Sequence, residues 1–116
     1  MKKYTILCPT DFSECALNAI EYAARLGEKL NAELTLFHVP DSGDYKKLFP
    51  NKELEESLNA AVNKLNSLVK TVEEESLGKG LHACKSLVKE GKAVNTILEY
   101  AEENKVDLII MGTEGV

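Results

Sequence analysis

Two short polar stretches in this sequence each follow an apolar run, and both are placed to do chemistry. Pro9, Thr10 and Asp11 come directly after Ile6, Leu7 and Cys8. Met111, Gly112, Thr113 and Gly115 come after Leu108, Ile109 and Ile110. A carboxylate such as that of Asp11, at the carboxyl end of a buried strand, can accept hydrogen bonds from an amino or hydroxyl group in a cleft. It can equally cap its own turn through the backbone, as Asp in a Thr-Asp-Phe-Ser turn often does. Gly112 and Gly115 offer backbone N–H groups unobstructed by a Cβ, as close approach to a phosphate requires. A Gly-x-x-Gly pair alone is a weak motif. It gains weight from following one apolar strand while a carboxylate follows another.

The remaining reactive side chains form no recognisable constellation. His38 ends an apolar strand and His82 lies in a later one, positions in which a lone histidine is usually a satisfied structural residue. Cys15 falls in the first turn of a helix, where the helix dipole can lower a thiol pKa, but no second cysteine stands at a resolving distance in sequence. Cys8, Cys15 and Cys84 include no C-x-x-C pair, which argues against a disulfide framework or a zinc site. The chain has no G-x-x-x-x-G-K-[ST], no G-x-S-x-G and no H-E-x-x-H. Gly78 and Gly80 lack the third glycine of a dinucleotide fingerprint and precede a strand rather than open a helix.

The elements that must position the two turns alternate regularly. Residues 4–8 read as a strand apolar enough to be buried on both faces. Ser13 is a good N-cap, with Glu14 beside the positive end of the dipole, for a helix that runs to about Leu30. Ala16, Leu17, Ile20, Ala23 and Ala24 recur along it at helical spacing, and Asn31 suits a left-handed C-cap. Residues 33–39 form a second strand, and residues 41–51, with Ser, Gly, Pro and several charges, form a loop. Leu54, Leu58, Ala61, Leu65, Leu68 and Val72 predict a long amphipathic helix over residues 52–77, covering the sheet or presenting a face to a partner helix. Its acidic run, Glu73 to Glu75, sits at the wrong end for the dipole. Residues 81–88 read as a half-polar edge strand. Val94, Ile97, Leu98 and Ala101 predict a third helix ending near Asn104, and residues 106–111 a fourth strand as apolar as the first.

Strand and helix alternation of this kind implies right-handed crossovers onto a mostly parallel sheet, in a single α/β domain spanning residues 1–116. With 116 residues the chain can bury a core, and its formal charge of −5 disfavours an electrostatic grip on nucleic acid or anionic membrane. No apolar run approaches the roughly 18–20 residues of a membrane span, and no signal-peptide pattern opens the chain. The expected location is the cytoplasm.

Taken together, four segments resemble the universal stress protein family: residues 6–13, residues 32–39, Gly91 before a helix containing Ile97 and Ala101, and residues 107–113. The resemblance implies an open, doubly wound parallel sheet of order 3-2-1-4-5, with the first and fourth strands adjacent at the switch point. It implies an adenine-nucleotide cleft, for ATP or AMP, at the ends of those strands, with Mg as a possible companion of the phosphates. Asp11 and Val39 would contact the adenine end, and Gly112 and Gly115 the ribose and phosphates. Pro9, Thr10, Met111 and Thr113 belong to the same turns. The implied role is stress-response regulation through binding rather than turnover, as a homodimer or other homo-oligomer. The alternative within the family is a dimeric regulator that binds no nucleotide and acts through protein contacts. A third possibility, an enzyme on the same sheet such as a nucleotidyl transferase or thiol redox protein, lacks a nucleophile–base pair.

The sequence departs from the family's nucleotide-binding pattern in two respects. The motif continues beyond Gly115 with nine residues, Gly and then Ser or Thr, whereas this sequence stops at Val116, without the final helix and fifth strand. The reading is therefore of a C-terminally truncated member whose apolar fourth strand has an unpaired edge. Glu114 also stands between the two glycines, and a carboxylate roughly 4 Å from a phosphate oxygen repels it by about 4 kcal/mol at an intermediate dielectric.

Overall fold

The computed structural model describes residues 3–40 and 52–112. Its elements are β1 (Thr5–Pro9), α1 (Glu14–Leu30), β2 (Glu33–His38), α2 (Lys52–Ser76), β3 (Ala83–Val88), α3 (Ala93–Glu103) and β4 (Leu108–Ile109). The four strands join in the order β3-β2-β1-β4, every pair parallel. The expected doubly wound α/β sheet is therefore present, with β1 and β4 side by side.

Local chemistry accounts for the helix ends. The Ser13 hydroxyl accepts from the Ala16 amide at 3.2 Å, and Glu14 lies in the first turn. At the other end Asn31 adopts the left-handed conformation (φ 54°) and its N–H donates to the Gly27 carbonyl. This is the cap that asparagine tolerates best after glycine. The last turn of α2 has no basic residue to complement its dipole, and the chain tightens there into a 3₁₀ turn over Leu77–Lys79.

Period-two alternation along the strands sends side chains to two separate layers. Ile6, Cys8, Leu34, Leu36 and Cys84 face α1 and α2, where they meet Ile20, Ala23, Ala24, Leu65 and Val72. Leu7 and Phe37 face the opposite way, onto Ile97 and Tyr100 of α3. The sheet-covering role of α2 is thus the one observed. Full burial of a Leu- or Phe-sized side chain stabilises by about 1.5–3 kcal/mol, so the central strands carry much of the fold.

Some expectations need correction. In α3 the buried stripe is Ile97 and Tyr100, whereas Val94 and Leu98 lie largely in solvent. His82 precedes β3 rather than lying within it. Above all, β4 is two residues long instead of six, and Leu108 and Ile109 are each 39% exposed. The ladder reaches only as far as β1 offers partners. Ile6 and Leu7 pair with Leu108 and Ile109, flanked by Asp107 N–H to Thr5 O and Ile110 N–H to Leu7 O, both 2.9 Å. β1 runs on beside β2 to Pro9, but Pro9 has no N–H to give the next bond on the β4 edge. The predicted loop at residues 41–51 lies outside the described residues.

Equal truncations should therefore have unequal costs. Leu36→Ala, in a fully buried position, should destabilise by about 2–5 kcal/mol. Leu108→Ala should cost about 1 kcal/mol or less. Urea denaturation of the two variants checks the contrast.

Candidate functional site

The two turns singled out from the sequence converge. A cavity of about 190 Å³ lies at the carboxyl ends of the strands, between the turn after β1 and the segment after β4. Pro9, Thr10 and Asp11 form one wall and Met111 and Gly112 another, with Val39 at the end of β2. Six of the predicted residues thus share one cleft; Thr113 and Gly115 lie outside the described residues, as does Glu114. The cleft also takes in Ala16 from α1, Phe37 and His38 from β2, and Ala93 and Ile97 from α3. Sequence reasoning did not place these five in the site. Only α3 could have been guessed to contribute, because in a parallel sheet its start follows the carboxyl end of β3.

The turn after β1 is held by a series of short local bonds. The Thr10 amide donates to the Phe37 carbonyl at 2.8 Å, which carries the β1–β2 ladder one step beyond the register pair Pro9 and Phe37. The Thr10 hydroxyl accepts from the Phe12 amide at 3.0 Å, and the Asp11 carboxylate accepts from the Ser13 amide at 2.9 Å. Phe12 itself sits at φ 65°, in the left-handed region that a bulky side chain rarely occupies. Both readings of Asp11 therefore apply: it closes its own turn, and it remains exposed at the cleft mouth.

Hydrogen bonding from the Ser13 side chain, and then from the Ser13 backbone, holds the Asp11 carboxyl below its ordinary value of 3.8. A carboxyl depressed on folding contributes stability above its unfolded value. It loses that contribution as pH falls through the lower, folded value. At neutral pH Asp11 is an anion with acceptor capacity to spare, since a carboxylate has about four lone-pair sites.

Gly112 has a reason to be glycine that the sequence did not reveal. A Cβ there would overlap the Cys15 carbonyl and lie 2.7 Å from the Ala16 amide nitrogen. The segment after β4 lies directly on the first turn of α1, and backbone-to-backbone contact of that kind admits no side chain. The expectation that Gly112 serves approach to a phosphate thus acquires a structural rival at the same position.

The thiols stay outside this chemistry. Burial pushes Cys8 and Cys84 up to about 12, and all three cysteines are free. His38 is more engaged than a lone strand-end histidine suggests. Its Nδ1 lies 2.8 Å from the Thr10 carbonyl oxygen, while the buried Nε2 has no hydrogen-bond partner among the described residues.

Comparison with known proteins agrees with this architecture. The Universal stress protein family profile matches residues 4–116. Two universal stress proteins of Methanocaldococcus jannaschii are 33% and 34% identical over 117 and 124 residues. Each alignment takes in 95% of this chain, but 64% of the first protein and 76% of the second. The solved structure of the second superposes with a TM-score of 0.73 at 28% identity, covering 100% of this chain and 78% of that one. Universal stress protein UspA from Lactobacillus plantarum superposes with a TM-score of 0.74 at 22% identity, covering 99% and 82%.

Two substitutions check the geometry of the cleft. Ser13→Ala should move the Asp11 midpoint upward towards 3.8 in a carboxyl ¹³C NMR titration, and cost about 1 kcal/mol through the lost cap. Gly112→Ala should force α1 and the segment after β4 apart, costing about 1–3 kcal/mol. Thermal unfolding reads that loss.

Proposed function

This chain belongs to the universal stress protein family, and we propose that its cleft binds an adenine nucleotide, with binding rather than turnover as its role in a stress response. The observation that carries the reading is the convergence of the Asp11 turn and the Gly112 segment on one cavity. Universal stress protein structures with cAMP and, from Arabidopsis thaliana, with AMP share this fold at TM-scores of 0.64 and 0.66. At identities of 20% and 16% the likeness is one of fold, and the ligands of those two proteins support the fold's capacity to hold such a molecule.

The shape of the cleft fits the base rather than the whole nucleotide. Pockets that enclose a complete small-molecule ligand usually measure about 300–1,000 Å³, and this one measures about 190 Å³. Ala16, Val39, Ala93 and Ile97 supply apolar surface suited to a flat heteroaromatic ring. At its mouth the Asp11 carboxylate is an acceptor for an exocyclic amino group. With the base entering 6-position first, adenine presents its amino donor to Asp11 where guanine presents a carbonyl, so the carboxylate favours ATP over GTP. The ribose and phosphates then extend past Gly112, with Mg as a companion that offsets the phosphate charge.

Titration calorimetry tests this reading. ATP should bind, GTP should bind more weakly, and Asp11→Ala should reduce ATP affinity by about tenfold or more while narrowing the difference from GTP. Absence of heat with ATP would remove the nucleotide reading. One observation favours a second reading, action through contact with another chain: Leu108, Ile109 and Met111 are exposed along and just beyond the outer sheet edge at β4. Sedimentation equilibrium should then report a dimer, and Ile109→Lys should shift it towards monomer.

A further inference from the structure

His38 is a buried polar residue of the cleft wall that the nucleotide reading leaves unused, at 7% exposure and with its ring against the turn that carries Asp11. Its backbone belongs to the sheet interior. β2 lies between β1 and β3, His38 pairs with Val88, and its carbonyl accepts from the Lys89 amide at 3.1 Å. The Phe12 ring packs on the imidazole with centroids 4.7 Å apart, and the Lys64 ammonium lies 5.6 Å from the other aromatic partner's centroid, that of Phe12.

Chemistry fixes the role of Nδ1. A carbonyl oxygen can only accept, so at 2.8 Å from Thr10 O the Nδ1 atom must carry a proton and donate it. When the ring is neutral, Nε2 is therefore the bare nitrogen, and it has no donor opposite it among the described residues. The imidazole is held with one nitrogen satisfied and the other sacrificed, a costly arrangement for a buried polar atom. The satisfied nitrogen bonds the residue immediately before Asp11, just past the last strand pairing of β1.

We propose that His38 is a positioning residue for the cleft: its Nδ1–H holds the Thr10 carbonyl and its ring seats Phe12, and together these fix the direction in which Asp11 presents its carboxylate. The rigidity of the sheet centre is thereby passed to the first turn beyond it. Phe12 completes the clasp from the other side of Asp11, which explains why a bulky residue is held at φ 65°. The consequence for ligand affinity rests on the adenine-nucleotide reading; the clasp itself does not.

The test begins with the wild-type protein. Long-range ¹H–¹⁵N correlation of the neutral His38 ring should show a protonated Nδ1 and a bare Nε2. The opposite tautomer would overturn the proposal, and this arm needs neither a ligand nor a variant. His38→Leu keeps bulk without the donor, whereas His38→Asn keeps an N–H near the position of Nδ1. In His38→Leu the Asp11 and Ser13 amide resonances should move and ATP affinity should fall by about tenfold, with His38→Asn recovering most of both effects. Unmoved resonances in His38→Leu, or equal loss in both variants, would overturn it. Should wild type bind no ATP, the nucleotide reading alone fails, and the tautomer and amide shifts still decide the role of His38. Should His38→Leu fail to fold, the wild-type tautomer decides it.

Discussion

The structure depends on β1 being enclosed on all four sides. Its two edges are bonded to β2 and β4, Ile6 and Cys8 enter the layer under α1 and α2, and Leu7 enters the layer against α3. A strand with no solvent-facing side cannot slip by one residue, since that would exchange the contents of the two layers. On its β4 edge the ladder has to end at Pro9, which has no N–H to give, while on the β2 edge it runs on to Thr10. The position of the cleft follows from where that strand ends.

Beyond that point the backbone polar groups must find partners without a sheet. Thr10 N–H reaches Phe37, Phe12 N–H reaches the Thr10 hydroxyl, Ser13 N–H reaches Asp11, and the Thr10 carbonyl takes the His38 ring. Each residue from Thr10 to Ser13 is thus fixed by a bond to its own turn or to β2. The turn becomes a rigid wall instead of a flexible loop, and a rigid wall is what a binding site needs to avoid paying ordering entropy on ligand capture.

The opposite wall is built differently. Gly112 rests on the Cys15 carbonyl and the Ala16 amide, so its place is set by steric contact with α1 and not by a sheet partner. β4 is short and half in solvent, while β2, two strands away, is buried along nearly its full length. The sheet is therefore firm where Asp11 and His38 are anchored and more open on the side of Gly112.

What the sequence determined by itself is everything that depends on near neighbours. The order of strands and helices, the Ser13 and Asn31 caps, and the two-sided burial of residues 6–8 were all legible, because period and capping are properties of a few consecutive residues. The family resemblance added the adjacency of β1 and β4, and with it most of one cleft. Tertiary structure alone decided the rest. It assigned Ile97 and Tyr100, not Val94 and Leu98, to the buried face of α3, because the packing angle against β1 and β2 chooses among apolar neighbours on a helix. It stopped β4 after two residues, because the β1 edge it pairs with offers no N–H at Pro9. It gave His38 to Thr10 and Gly112 to Cys15, contacts between residues 28 and 97 positions apart in the chain, which no local pattern encodes.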